Sequence, residues 1–321
     1  MTYRRSTVIG GSGFIGRYVV KRLAERGIVV LAASRHGGEA LFLAPMGDVG
    51  QIALMDADFG DEARLRAALE GAESVVISAG ILFEHGKQRF DLVHHRGPAL
   101  VARLAAEMGV ARLVFISSIG ADPSSPSTYA RSKAAGEAAV RSAFSAATIL
   151  RPSLVFGPED NFFNRFAGIA RMAPALPLIG GGKTRFQPVY VGDVADAVMA
   201  ALDSAEAPGK TFELGGPRVY TFRQMMELLL AEIARKRMLV SVPAGLLALP
   251  GALMEWLPNP PLTRDQLRLL LRDNVVSPDV PGLAQLGITP TALELVLPTY
   301  LDRFRRGGRT LAAELATRLP R

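Results

Sequence analysis

The run Gly10-Gly11-Ser12-Gly13-Phe14-Ile15-Gly16-Arg17 constrains this chain more than any other segment. It follows the apolar stretch STVIG and opens a helical pattern over residues 14–26, so it reads as the turn between a first strand and a first helix. Gly10, Gly13 and Gly16 fit G-x-x-G-x-x-G, while Gly11, Gly13 and Gly16 also fit G-x-G-x-x-G. Glycines at this spacing let the backbone turn tightly and bring a helix N-terminus against a pyrophosphate with no Cβ in the way. A chain that begins so is expected to build a parallel sheet around a dinucleotide.

The sequence to about residue 150 keeps that rhythm. IVVLAAS, QIALMDAD, SVVISAG and RLVFISS are short, β-rich and closed by turn residues, as strands buried on both faces should be. Helical patterns fall between them at 61–69 and 90–108, and a further helix leads into a sixth strand, TILRPSLVF. The expected fold is α/β, a Rossmann-type doubly wound parallel sheet over residues 1–157. After Gly157-Pro158 the alternation loosens, and residues 158–321 are expected to form a smaller mixed lobe and a C-terminal docking segment. GDVADAVMAALD and TFELGG read as returns to the sheet near 188–215, and TFRQMMELLLAEIARK as a helix capped by Thr221.

Further residues fill out the candidate site. The second strand ends in Ser34-Arg35-His36, with no acid to take a ribose 2′-hydroxyl. A hydroxyl and a guanidinium suit a 2′-phosphate, with Arg17 able to join them, so NADP(H) is expected in preference to NAD(H). Asp58 and Phe59, in MDADFGD, sit at the rim after the third strand, where a carboxylate meets an adenine amine. Ser78-Ala79-Gly80 closes the fourth strand with small residues that leave room for a ribose. Tyr129 and Lys133 lie four residues apart in STYARSKAAGE, one helical turn, so their side chains share a face. An ammonium about 5 Å from a phenol is worth roughly 3 kcal/mol and is expected to lower the tyrosine pKa toward neutrality.

Composition narrows the partners. Hydrophobic residues make 49% and charged ones 21%, as in an ordinary globular protein. With no cysteine, disulfides and thiolate metal sites are excluded, and His94-His95 lack companions at ligand spacing, so no metal is expected. The net charge of +7 favours an acidic partner. Nucleic acid is not expected, because no RNP-like pattern, zinc finger or basic heptad helix is present. Residues 301–321 carry six arginines against Asp302 and Glu314, which fits an anionic membrane surface. The apolar stretch 244–257 is broken by Pro250-Gly251 and too short to span a bilayer, yet with Trp256 it suits an interface. MTYRR runs directly into the first strand, so no targeting segment is expected.

Together GGSGFIGR, Asp58, SAG, ISSIGA, YARSK and RPSLVFGP resemble the extended or atypical branch of the short-chain dehydrogenase/reductase superfamily. That resemblance implies that Tyr129 exchanges a proton, Lys133 lowers its pKa and holds the nicotinamide ribose, and Ser117 or Ser118 hydrogen-bonds a substrate oxygen; Pro152 is implied to border the cofactor. The serines precede the tyrosine by 12 and 11 residues, a shorter gap than extended members usually have. ISSIGADPSSPSTYARSKAAGEAAV, ILRPSLVFGPEDNFFNRFA, LPLIGGGKTRFQPVYVGDVADAV and LTRDQLRLLLRDNVV are further similar to the nucleotide-binding accessory subunits of respiratory complex I and their bacterial relatives. This narrower likeness implies tightly bound NADPH in a structural role. It also implies docking on peripheral-arm and membrane-proximal subunits, here at the cytoplasmic face of a bacterial inner membrane. The alternative is an independent enzyme, a reductase or a nucleotide-sugar epimerase or dehydratase, with Asn161, Asn164, Arg165, Arg185 and Gln187 as polar candidates for its substrate pocket.

Overall fold

Each apolar run of the first 150 residues is closed by a turn and followed by an amphipathic stretch, and the chain folds accordingly. The computed structural model describes residues 5–243, 245 and 263–308. It starts with β1 (Arg5–Ile9), α1 (Phe14–Glu25), β2 (Val29–Ser34), β3 (Ile52–Asp56), α2 (Glu62–Leu69) and β4 (Ser74–Ile77). A π-helix (Asp91–Arg96) then runs into α3 (Gly97–Glu107), followed by β5 (Arg112–Ile116), α4 (Thr128–Ala143) and β6 (Thr148–Pro152). Beyond these lie β7 (Val155–Phe156), α5 (Phe163–Met172), β8 (Ala175–Ile179), β9 (Arg185–Phe186), β10 (Val189–Tyr190) and α6 (Val191–Asp203). Last come β11 (Thr211–Leu214), β12 (Tyr220–Thr221), α7 (Phe222–Glu232), β13 (Met238–Val242) and helices Arg264–Leu270 and Leu293–Leu301.

Two compact units result. The first runs to Ser153 and adds Val191–Gly215 and Val276–Thr289. Its seven strands form one parallel sheet in the order β11-β6-β5-β4-β1-β2-β3. Strand order reverses between β1 and β4, the switch point at which a doubly wound sheet opens a crevice beyond its strand ends. Val8, Val76, Phe115 and Ile149 are fully buried, because helices cover both faces. On one face α6 packs along α1, with Arg22 paired to Asp196 at 2.6 Å and Arg26 to Asp203. Leu65, Leu69, Val101, Leu104 and Val140 from α2, α3 and α4 close the other.

Two elements differ from the sequence expectation, each for a local reason. The helical pattern at 90–108 is split, because Pro98 has no N–H to give the His94 carbonyl and the preceding turn widens into the π-helix. The expected sixth strand ends early, at Pro152. Ser153 N–H still reaches Leu214 O at 2.9 Å, but Leu154 N–H turns to the Asn274 side chain, also at 2.9 Å. Val155–Phe156 then pairs with β10 in the second unit.

That second unit takes Leu154–Tyr190, Gly216–Val275 and the described residues from Pro290. Phe156, Phe163, Phe186, Phe222 and Met226 fill its core. The buried Asp160 carboxylate anchors the start of α5, accepting N–H bonds from Phe162 and Phe163 at 2.9 and 2.6 Å and the Tyr300 hydroxyl at 2.6 Å. Thr221 caps α7 as its sequence predicts, reciprocally with Gln224. Among the described residues no helix is long and apolar enough to cross a membrane. The apolar stretch 244–257, Gly245 apart, and the basic tail beyond Gly308 lie outside the described residues.

Candidate functional site

The glycine loop is built by contacts that exclude larger residues. Gly10 has a φ of +85° and a Cβ there would lie 2.7 Å from the Ala79 nitrogen; a Cβ on Gly16 would run into the Gly10 carbonyl oxygen. Gly10 N–H reaches across to Ala33 O at 2.7 Å, and Gly13 N–H closes the turn on Gly10 O at 3.0 Å. Gly13 is the N-cap of α1 and brings no side chain to it, and the first turn, with Phe14 and Ile15 partly buried, has no acid. The positive end of the helix is therefore left for an anion.

The ends of neighbouring strands converge on this loop. Ser34 Oγ accepts from Ser12 Oγ at 2.8 Å, and Arg17 reaches back to the carbonyls of Ser12 and Gly13 at 3.2 Å while stacking over Phe42 at 4.6 Å. Arg35 and His36 are exposed. Ser78 Oγ donates to Ile9 O at 3.1 Å and Gly10 O at 3.2 Å, so β4 is tied directly to the loop. Asp58 is exposed and its carboxylate closes its own turn, accepting Gly60 N–H at 2.8 Å; the cap of α2 is Asp61. Phe59 packs its ring against Gly97, where a side chain would collide with it. Pro152 is buried at the end of β6 and its carbonyl takes Ile119 N–H at 3.0 Å.

Tyr129 and Lys133 share one face of α4, but the electrostatics differ from the sequence expectation. The Lys133 ammonium stands 6.0 Å from the Tyr129 ring centre and donates to Ile116 O at 3.3 Å. Burial raises the Tyr129 phenol above its ordinary pKa, with the nearby Ser118 hydroxyl pulling it back, and Lys133 does not lower it. Burial instead lowers Lys133 to about 8, against the opposing pull of Glu137. The expected ammonium-activated phenol is thus corrected: desolvation outweighs a charge held about a turn away. The Ser117 and Ser118 hydroxyls are buried without a well-formed hydrogen bond, Ser118 lying near enough to the phenol to act on it without that geometry. Buried hydroxyls with bonding capacity to spare at the end of β5, one strand removed from β1 and its glycine loop, fit a polar ligand.

Two groups escaped the reading of the sequence. Glu137, one turn beyond Lys133, is buried and takes both arms of Arg151 at 2.8 and 2.6 Å, and Arg151 also lies 3.6 Å from Glu213. Its spacing of four from Lys133 was the available signal. His94 is wholly buried against Tyr129, which no pattern in the sequence discloses. In the second unit, three of the five polar candidates serve the unit itself, while Asn161 is exposed and Arg165 partly buried. Asn164 bonds the carbonyls of Pro158 and Asp160, Arg185 pairs with Asp273 at 2.7 Å, and Gln187 donates to Gly216 O at 2.8 Å.

The profile of the NAD dependent epimerase/dehydratase family matches residues 6–215. The chain belongs to this family. Among similar proteins, "NADH dehydrogenase [ubiquinone] 1 alpha subcomplex subunit 9, mitochondrial" of Arabidopsis thaliana is 36% identical, over 98% of this chain and 81% of that protein. The protein of the same name in Mus musculus is 35% identical over 98% and 84%. Among solved structures, DesIV of Streptomyces venezuelae, a dTDP-glucose 4,6-dehydratase with NAD and TYD bound, superposes with a TM-score of 0.73 at 21% identity, covering 96% of this chain and 98% of that one. At that identity the likeness is one of fold. The Rossmann-type sheet and the family resemblance read from the sequence both hold for this epimerase/dehydratase-family protein.

Proposed function

We propose that the protein is an accessory subunit of respiratory NADH:ubiquinone oxidoreductase, complex I, that holds NADP(H) as a built-in ligand. The observation that carries this is the near full-length relationship to the plant and mouse subunits, which extends through the second unit and not only the sheet. Docking on peripheral-arm subunits close to the membrane, on the cytoplasmic side of a bacterial inner membrane, accords with the basic composition. Deleting the chain should lower the amount of assembled, NADH-oxidising complex in membranes, read on native gels. Unchanged assembly refutes the role.

The residues fit a dinucleotide. The Gly10–Gly16 cradle and the start of α1 would hold the pyrophosphate, and Lys133 the nicotinamide ribose. Bound, the cofactor supplies a hydride carrier. Choice of NADP(H) over NAD(H) rests on Ser34 and the exposed Arg35, with Arg17 beside the Ser12–Ser34 pair. In parallel titrations NADPH should bind at least about tenfold tighter than NADH, and Arg35→Ala should remove most of that preference. Equal affinities, or a variant that keeps the preference, refute the assignment.

A structural role for the ligand accords with the phenol, because burial holds the Tyr129 proton on its oxygen at neutral pH. A second reading, an independent reductase or nucleotide-sugar enzyme, draws on the buried hydroxyl of Ser118 beside that phenol and on that of Ser117 next to it in the chain. There Ser118 would orient a carbonyl oxygen and Tyr129 donate its proton to it. Turnover of added NADPH with a carbonyl substrate by the free protein, abolished in Tyr129→Phe, would favour it.

A further inference from the structure

His94 lies within the site, yet the binding roles above do not use it. The ring is stacked on Phe90 at 5.2 Å and stands edge-on to Tyr129, also at 5.2 Å. Nε2 is 3.0 Å from the backbone nitrogen of Ile81, and Nδ1 is 2.9 Å from Ser132 Oγ. A backbone N–H can only donate, so Nε2 is the bare nitrogen. The Ser132 hydroxyl gives its one proton to the Tyr129 carbonyl at 2.7 Å, so its oxygen accepts from Nδ1–H. Both ends of the ring therefore select the same neutral tautomer.

We infer that His94, as the Nδ1–H tautomer, is a positioning residue that ties the segment after β4 to α4 and sets the wall that receives the nicotinamide-ribose half of a dinucleotide. The inference rests on the dinucleotide reading of the site. Its bonds run in one direction, Ile81 N–H to imidazole, imidazole to Ser132, Ser132 to Tyr129 C=O. The same segment is fixed at its other end to the glycine loop, through the Ser78 hydroxyl and the packing of Ala79 on Gly10. Between the two anchors lies Gly80, where a Cβ would stand 3.5 Å from Lys133 Nζ and 3.7 Å from His94 Nε2. The imidazole thus completes a continuous connection from the pyrophosphate cradle to the helix that carries Tyr129 and Lys133. The π-helix supplies the placement: its His94 carbonyl sits so close to α4 that only glycine fits at Gly136. Wound as an ordinary α-turn, the segment would carry the ring elsewhere.

The test separates the two halves of the ligand, using the full chain with NADPH and with adenosine 2′,5′-bisphosphate, which lacks the nicotinamide mononucleotide half. His94→Phe keeps an aromatic ring and removes both nitrogens. It should weaken NADPH binding by about tenfold while leaving the bisphosphate within about twofold of wild type. His94→Gln, which restores an acceptor for Ile81, should recover most of the loss. Equal weakening of both ligands, or of neither, overturns the inference. Histidine side-chain nitrogen shifts of the wild-type protein give a reading that needs no variant: a protonated Nδ1 and bare Nε2 are expected, and the opposite tautomer refutes the lock. Wild-type protein that binds neither ligand would count against the dinucleotide reading itself, and the tautomer would still decide the lock.

Discussion

Burial governs the ionisable side chains of the site. Lys133 is 4% exposed, and desolvation brings its ammonium down to about 8 from the ordinary lysine value of 10.5. Between those values the unfolded chain keeps a proton that the folded chain has released, so stability rises as pH rises through that window. Relative to Lys133→Met, the ligand-free wild type should gain about 3 kcal/mol between pH 8 and pH 10.5, measured by denaturant unfolding at a series of pH values. Parallel curves for the two proteins would show that the ammonium is not desolvated. The sequence disclosed that Tyr129 and Lys133 share a helix face but not this sign. Spacing reports proximity, whereas the depth of burial is set by Phe90, His94 and Phe115, which come from other elements.

At the scale of elements, the inner strands were legible because both faces of the sheet are covered there, so each is an apolar run closed by a turn, while the edge strand β3 is only partly buried. β1 to β5 fall within STVIG, IVVLAAS, QIALMDAD, SVVISAG and RLVFISS, apart from Arg5 at the start of β1. Less legible was what joins elements distant in sequence. Arg151 on β6 binds Glu137 on α4 and approaches Glu213 on β11, and Ser277 N–H gives Glu213 a further bond at 2.7 Å. Both acids are buried, so removing the guanidinium strands two carboxylates. Arg151→Ala should destabilise by about 3–5 kcal/mol, against under about 1 kcal/mol for Arg66→Ala, whose partner Glu107 is exposed. Thermal or denaturant unfolding of the two variants checks the contrast, and similar losses would contradict it.

For the molecule as a whole, the first unit explains why a nucleotide site would persist without catalysis. A ligand that binds only the folded state stabilises it by RT ln(1 + [L]/Kd), roughly 4 kcal/mol at a thousandfold excess. The glycine loop joins β1, β2 and β4 at the centre of the sheet, so a nucleotide there reinforces the unit where its strand order reverses. The relationship to respiratory subunits covers both units, and the second unit's polar side chains at Asn164, Arg185 and Gln187 are spent on its own backbone and ion pairs. The central claim is most directly tested by solubilising native membranes, separating their complexes on a native gel and assaying the NADH:ubiquinone oxidoreductase band for this chain and for NADP(H). The account predicts that the chain co-migrates with that complex and carries NADP(H) in about equal amount. Finding it free, nucleotide-less and turning over a carbonyl or sugar-nucleotide substrate would contradict it.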